Sequence, residues 1–218
     1  MASPISNQQA MNELSPWFEL FGGVFEATQH DHLASISLLG IPRKTERAGE
    51  IHRACRENFR RVCDLASPLL ELKEEPEGQG LDYLISRLGQ PLAVRWGFYK
   101  NGAIKRNATD RTRDCQEQGI LFPECDLDKR VESMPLLSIG YEISNDYTEV
   151  GVPCWFISKL LLLRERAGES EVITTIREYS EPKRNAGNYT APTAIVKARQ
   201  AELAQWEQMV RRIKKSAG

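Results

Sequence analysis

Apolar positions change period part-way along this chain. In the first third they recur every three to four residues, as Trp17, Leu20, Phe21, Val24 and Phe25, and again as Ile51, Cys55, Phe59, Val62 and Ala66. That spacing lines one face of a helix in each case. Ser15-Pro16 offers an N-cap and a first-turn proline for the first helix, and Gly22-Gly23 weakens it. The second helix is predicted over 45–66, between a break at 40–42 and the stop imposed by Ser67-Pro68. After the polar run KEEPEGQG at 73–80 the period falls to two, which predicts strands at 92–99, 103–109, 136–143, 152–163 and 171–179. Successive strands joined by short turns imply an antiparallel arrangement.

A loop at 181–189 leads to a closing helix from about residue 190, where Val196, Leu203, Trp206, Val210 and Ile213 fall at a/d spacing and Arg199 interrupts. This stripe is expected to dock on the protein's own sheet, with a homodimer through the helix as the alternative. The expected fold is therefore α+β, with N-terminal helices, an antiparallel β-meander of about five strands and a C-terminal helix. Its parts are 1–72, helical; 73–189, the sheet region; and 190–218, the amphipathic helix, together in one compact domain.

Composition adds little to this picture but removes several classes. The chain has 218 residues, enough for a core that needs no staples, with 41% hydrophobic and 27% charged residues. The first fifteen residues lack a secretory pattern, and the longest apolar run, 160–163, is far too short to span a bilayer. A cytoplasmic protein without membrane contact is expected. Five cysteines at irregular spacing, with no CxxC, read as reduced thiols.

Charge changes the picture more. The net charge is −1, yet it is a sum of opposed blocks. Residues 93–113 hold six bases and one acid, for +5; residues 114–149 hold two bases and nine acids, for −7; residues 182–218 reach +6. Aromatic Trp96, Phe98 and Tyr99 sit among the bases of the first block, and the fragment KRNA occurs at 105–108 and again at 183–186. Asn101-Gly102 folds that block into a hairpin. A three-residue loop, Lys100-Asn101-Gly102, would pair Phe98 with Ile104 and gather Val94, Trp96, Phe98 and Ile104 on one apolar face. Arg95, Tyr99 and Lys105 would then face solvent, a surface suited to phosphates with one aromatic ring for base stacking.

These residues point to a non-catalytic protein that contacts a polyanion, with nucleic acid the first choice. The candidate contacts are Arg95, Tyr99, Lys105, Arg106, Arg111 and Arg113, flanked by Lys183 and Arg184. The acidic block that follows, including Asp114, Glu117, Glu124, Asp126 and Asp128, is able to neutralise the hairpin within the same molecule, which argues against nucleic acid and leaves room for a rival. In that rival the opposed patches dock a protein partner, as in a regulator or inhibitor.

A third reading is a metal-dependent nuclease. It has only Glu71-Leu-Lys73, placed in helix or loop, and Asp126 to Lys129 at the wrong spacing to offer. His30-Asp31-His32 with His52 is a fragment of a metal site at most, so no metal and no cofactor are expected. Arg53, Arg56, Arg60 and Arg61 on the second helix read as a solvated face paired with Glu50, Glu57 and Asp64. The absence of a phosphate loop, a GxSxG elbow and HExxH, with all three histidines before residue 53, disfavours catalysis.

Overall fold

The computed structural model describes residues 5–39, 47–74, 82–104, 134–144, 156–166, 169–179 and 192–217. Ser6 opens α1 (Asn7–Leu14) with a capping box: its Oγ accepts from the Gln9 amide, and Gln9 Oε1 accepts from the Ser6 amide. A single 3₁₀ turn, Ser15–Trp17, holds the proline and leads into α2 (Phe18–Leu39). Every apolar position predicted for these helices is buried, from Trp17 and Phe25 on the first to Phe59 and Ala66 on α3 (Arg47–Ala66). Gly22 and Gly23 do not break α2. They are crossing points, since a Cβ at Gly23 would lie 2.9 Å from Trp206 Nε1 and one at Gly22 2.7 Å from Arg177 Cδ.

The strands are β1 (Leu70–Lys73), β2 (Tyr83–Ser86), β3 (Leu92–Lys100), β4 (Ala103–Ile104), β5 (Leu136–Ser144), β6 (Phe156–Arg166) and β7 (Glu169–Glu178). They form a seven-stranded sheet in the order β1-β2-β3-β5-β6-β7, with β4 paired to β3. The fold is α+β and the sheet mostly antiparallel, with two departures from the expected meander. β1 and β2 precede the first predicted strand, and β3 runs parallel to β5, Ala93 opposite Leu136 and Phe98 opposite Tyr141. A parallel neighbour requires a crossover rather than a tight turn, which the expected meander did not include.

One face of the sheet receives the helices. Val94, Trp96, Leu137, Ile139, Leu160 and Leu162 join α2 and α3 in the main core. At its centre the Phe59 ring lies 4.7 Å from Trp96 and 5.9 Å from both Phe21 and Phe25. The opposite face carries two smaller apolar clusters, one around Tyr83, Ile85 and Leu136, the other around Ile104, Leu161 and Leu163.

The C-terminal helix, α4 (Pro192–Ala217), corrects a second expectation. It docks on α2 and α3, not on the sheet. Trp206, Met209, Val210 and Ile213 are buried there, each worth about 1.5–3 kcal/mol when fully removed from water. Arg199, the interruption in the apolar stripe, binds Asp31 of α2 at 2.6 Å, and Glu202 binds His30 at 2.8 Å. Lys214 donates to the carbonyls of Leu65 and Ser67, which satisfies the C-terminal end of α3. From Leu203 to Ile213 the apolar stripe packs within the chain. Among the described residues no helix is long and apolar enough to cross a membrane.

Candidate functional site

The basic hairpin turns in two residues, not three. Asn101 has φ 56° and Gly102 φ 81°, and the pairs are Lys100 with Ala103 and Tyr99 with Ile104. Two successive positive φ angles match the right-handed twist of a hairpin, and Asn-Gly adopts them at little cost. The three-residue loop was expected because only one apolar face was assumed. Ile104 instead finds burial on the second face, packed with Leu161 and Leu163, and Tyr99 packs against that cluster. The two-residue register therefore leaves no apolar side chain stranded.

This register changes where the candidate residues point. Val94 and Trp96 face the helices as expected, while Arg95 and Tyr99 lie on the second face without being free in solvent. Arg95 is 5% exposed. Its Nε lies 3.1 Å from Glu165 Oε1 and 3.2 Å from Ser138 Oγ, and the Ser138 hydroxyl donates to the same Glu165 oxygen. The three side chains cross the sheet on β3, β5 and β6. Tyr99 is half-buried and packs against the apolar cluster. The expectation of a solvent face holding Arg95 is corrected, because Arg95, Ser138 and Glu165 are all buried on that face. Lys105, Arg106, Arg111, Arg113, Lys183 and Arg184, and the acids Asp114, Glu117, Glu124, Asp126 and Asp128, lie outside the described residues.

Surface cations elsewhere are mostly matched. Arg60 binds Glu57 and Glu74, and those carboxylates hold its guanidinium above its ordinary pKa. Arg87 and Lys73 share Glu71, Lys159 binds Glu178, and Arg177 binds Glu26. Lys100, exposed at the hairpin tip, has no ion pair among the described residues; the same holds for Arg53 on α3.

A further constellation had almost no sequence signal. Asp82, just before β2, is buried, and both His52 and Arg56 of α3 bind its Oδ2, at 2.9 Å and 2.7 Å. Its Oδ1 and the Trp96 Nε1 are buried without a hydrogen-bond partner among the described residues. The His52 ring stacks on Trp96 at 5.4 Å and 22°. Burial alone would raise the Asp82 carboxyl; the His52 hydrogen bond and the Arg56 charge outweigh it and leave the carboxyl below its ordinary pKa. The i, i+4 spacing of His52 and Arg56 was the only readable hint. The positive stripe of α3 is thus partly an anchor to the sheet, and not wholly a solvated face.

The histidine fragment separates in the same way. His30 reaches Glu202, Asp31 reaches Arg199 and Asn58, and His32 is buried. Among the described residues no group of three or more His, Cys, Asp or Glu is placed to hold a metal ion. Burial pushes the thiols of Cys55 and Cys63 up to about 12, which rules them out as ready nucleophiles. Glu71 and Lys73, expected in helix or loop, lie on the edge strand β1 and line a groove of about 610 Å³ with Asp64, Arg60 and Arg87. No family model, no curated protein and no solved structure matches the chain.

Proposed function

We propose that this protein is a non-catalytic binder of a polyanion, with nucleic acid as the ligand, acting through the basic run that begins at the β3–β4 hairpin and continues beyond it in sequence. Lys100, Lys105, Arg106, Arg111 and Arg113 make the contact, with Lys183 and Arg184 flanking it. Support comes from how charge is distributed. Most described surface cations have a carboxylate within ion-pair distance, whereas residues 100–113 hold five bases against one acid and Lys100 has no ion pair among the described residues. A cationic run of this kind is the electrostatic footprint of a phosphate-binding segment. Arg95 and Tyr99 leave the contact set, since their side chains are engaged on the second face of the sheet.

The test is binding to single-stranded and duplex oligonucleotides by fluorescence anisotropy at roughly 50 mM salt, where phosphate contacts are strong. Binding that weakens steeply, with a shallower salt dependence, when Lys105, Arg106, Arg111 and Arg113 are all replaced by alanine supports the proposal. Absence of binding to any nucleic acid refutes it. Recovery of one stoichiometric protein partner, insensitive to nuclease treatment, would put the protein-docking rival in its place.

One observation favours a metal-dependent nuclease. Glu71 and Lys73 share a strand beside the groove, as such a site would require. Against it, Glu71 is held by Lys73 at 2.6 Å and by Arg87 at 3.0 Å, and those partners keep its carboxyl below the ordinary value even though burial acts the other way. Mg²⁺-dependent cleavage lost in Glu71→Gln would establish the nuclease.

A further inference from the structure

Gly97 on β3 and Gly140 on β5 are direct partners in the parallel pair. Together they leave a notch in the second face of the sheet, and the hairpin folds down into it. A Cβ at Gly97 would lie 2.5 Å from Ile104 Cγ2. One at Gly140 would lie 3.0 Å from Tyr99 Cβ and 2.5 Å from Leu163 Cδ1. Neither site admits a methyl group unless the hairpin or Leu163 moves. Ile104, 3% exposed, packs there with Leu161 and Leu163, and the Ser170 amide of β7 donates to the Gly102 carbonyl at 3.2 Å. The hairpin is thus held at its apolar flank and at its tip. Lys105 and Arg106 follow Ile104 directly in sequence.

We propose that Ile104 and the Gly97–Gly140 notch are positioning elements for polyanion binding. They fix the hairpin that directly precedes the basic run in sequence, and bound ligand in turn tightens the hairpin on the notch. This inference rests on the polyanion reading above. A cationic segment anchored at its root loses less freedom when it meets phosphates than one with a loose root. The coupling is reciprocal, so the ligand must favour the docked hairpin by the same factor. Loosening the anchor leaves the number of phosphate contacts unchanged, so affinity falls while the salt slope stays the same. Removing a contacting lysine or arginine changes both.

The experiment compares wild type with Ile104→Ala, Ile104→Val and Gly140→Ala. It reads oligonucleotide affinity at several salt concentrations and amide hydrogen exchange at Ser170. Ile104→Ala is expected to weaken binding roughly tenfold with an unchanged slope, as the anchor's ordering cost returns. The same variant should speed exchange at Ser170, and Ile104→Val should restore both readouts. Gly140→Ala should behave like Ile104→Ala, and saturating oligonucleotide should slow Ser170 exchange in wild type. If wild type binds and Ile104→Ala binds equally well while Ser170 exchange rises, the notch does not position the ligand-binding run and the inference fails alone. A slope that falls together with affinity overturns it as well. If wild type binds no oligonucleotide, the polyanion reading fails and takes this inference with it.

Discussion

Replacing Arg95 by methionine separates a structural charge from a ligand-binding one. The Arg95 and Glu165 side chains are each 6% exposed and 3.1 Å apart, with Ser138 bonded to both. Removing the guanidinium leaves Glu165 as a buried carboxylate facing an apolar neighbour, and breaking a buried pair from one side costs about 3–5 kcal/mol. Against a total stability of about 5–15 kcal/mol, that is a large fraction. Removing both charges, as in Arg95→Met with Glu165→Leu, deletes the desolvation cost with the attraction and should recover most of the loss. The assay is urea unfolding followed by tryptophan fluorescence, with the midpoint shifting and the slope m unchanged. Arg95→Met, assayed where it remains folded, should keep wild-type oligonucleotide affinity and salt slope. A stability cost under about 1 kcal/mol, the magnitude of an exposed pair, combined with weakened binding would show that Arg95 faces the ligand, and would refute the reasoning.

Other predictions concern the helices and the thiols. The Glu202 hydrogen bond raises the His30 pKa in the folded state, so its contribution is fully present below about pH 6.5 and fades as pH rises through the raised value. His30→Gln should remove that part of the pH dependence of thermal unfolding, and an unchanged profile would count against the α2–α4 pair. Asp82 titrates the other way: its folded pKa is depressed, so its contribution is present above about pH 3.9 and lost as pH falls through the folded value. Asp82→Asn should lower the midpoint at neutral pH and flatten the acid limb; equal midpoints would contradict the anchoring role. Cys55 and Cys63, with thiols near 12, should resist alkylation in the native protein at pH 8 and react only on unfolding, which peptide mapping would show.

Much of the helical layer was legible because its signal is local. Phe21, Phe25, Phe59 and Val62 sit at helical spacing, and each is fully buried. Ser67-Pro68 marks the end of α3, which stops at Ala66. The first two strands escaped because β2 is buried at all four positions, so no alternation reveals it, and β1 is only four residues long. The parallel pairing of β3 with β5 depends on a crossover, which periodicity does not report.

The hairpin failed for an instructive reason. Alternation assigned Arg95 to the face opposite Trp96 correctly, but exposure does not follow from alternation when both faces carry buried residues. Glu165, which makes Arg95 an interior residue, lies far along the chain on β6. The same non-locality hid Asp82, whose partners His52 and Arg56 reach it from α3. Charge blocks, in contrast, are visible in sequence without any fold, and the basic run at 100–113 remains the feature that carries the functional proposal.

That proposal is tested most directly by the salt dependence of duplex DNA binding, compared between wild type and the variant with Lys105, Arg106, Arg111 and Arg113 all replaced by alanine. Each phosphate contact contributes about 0.9 to the slope of log K against log salt, so four lost contacts should make the slope shallower by about 3–4. Identical slopes in the two proteins, or binding that does not respond to salt, would contradict the account.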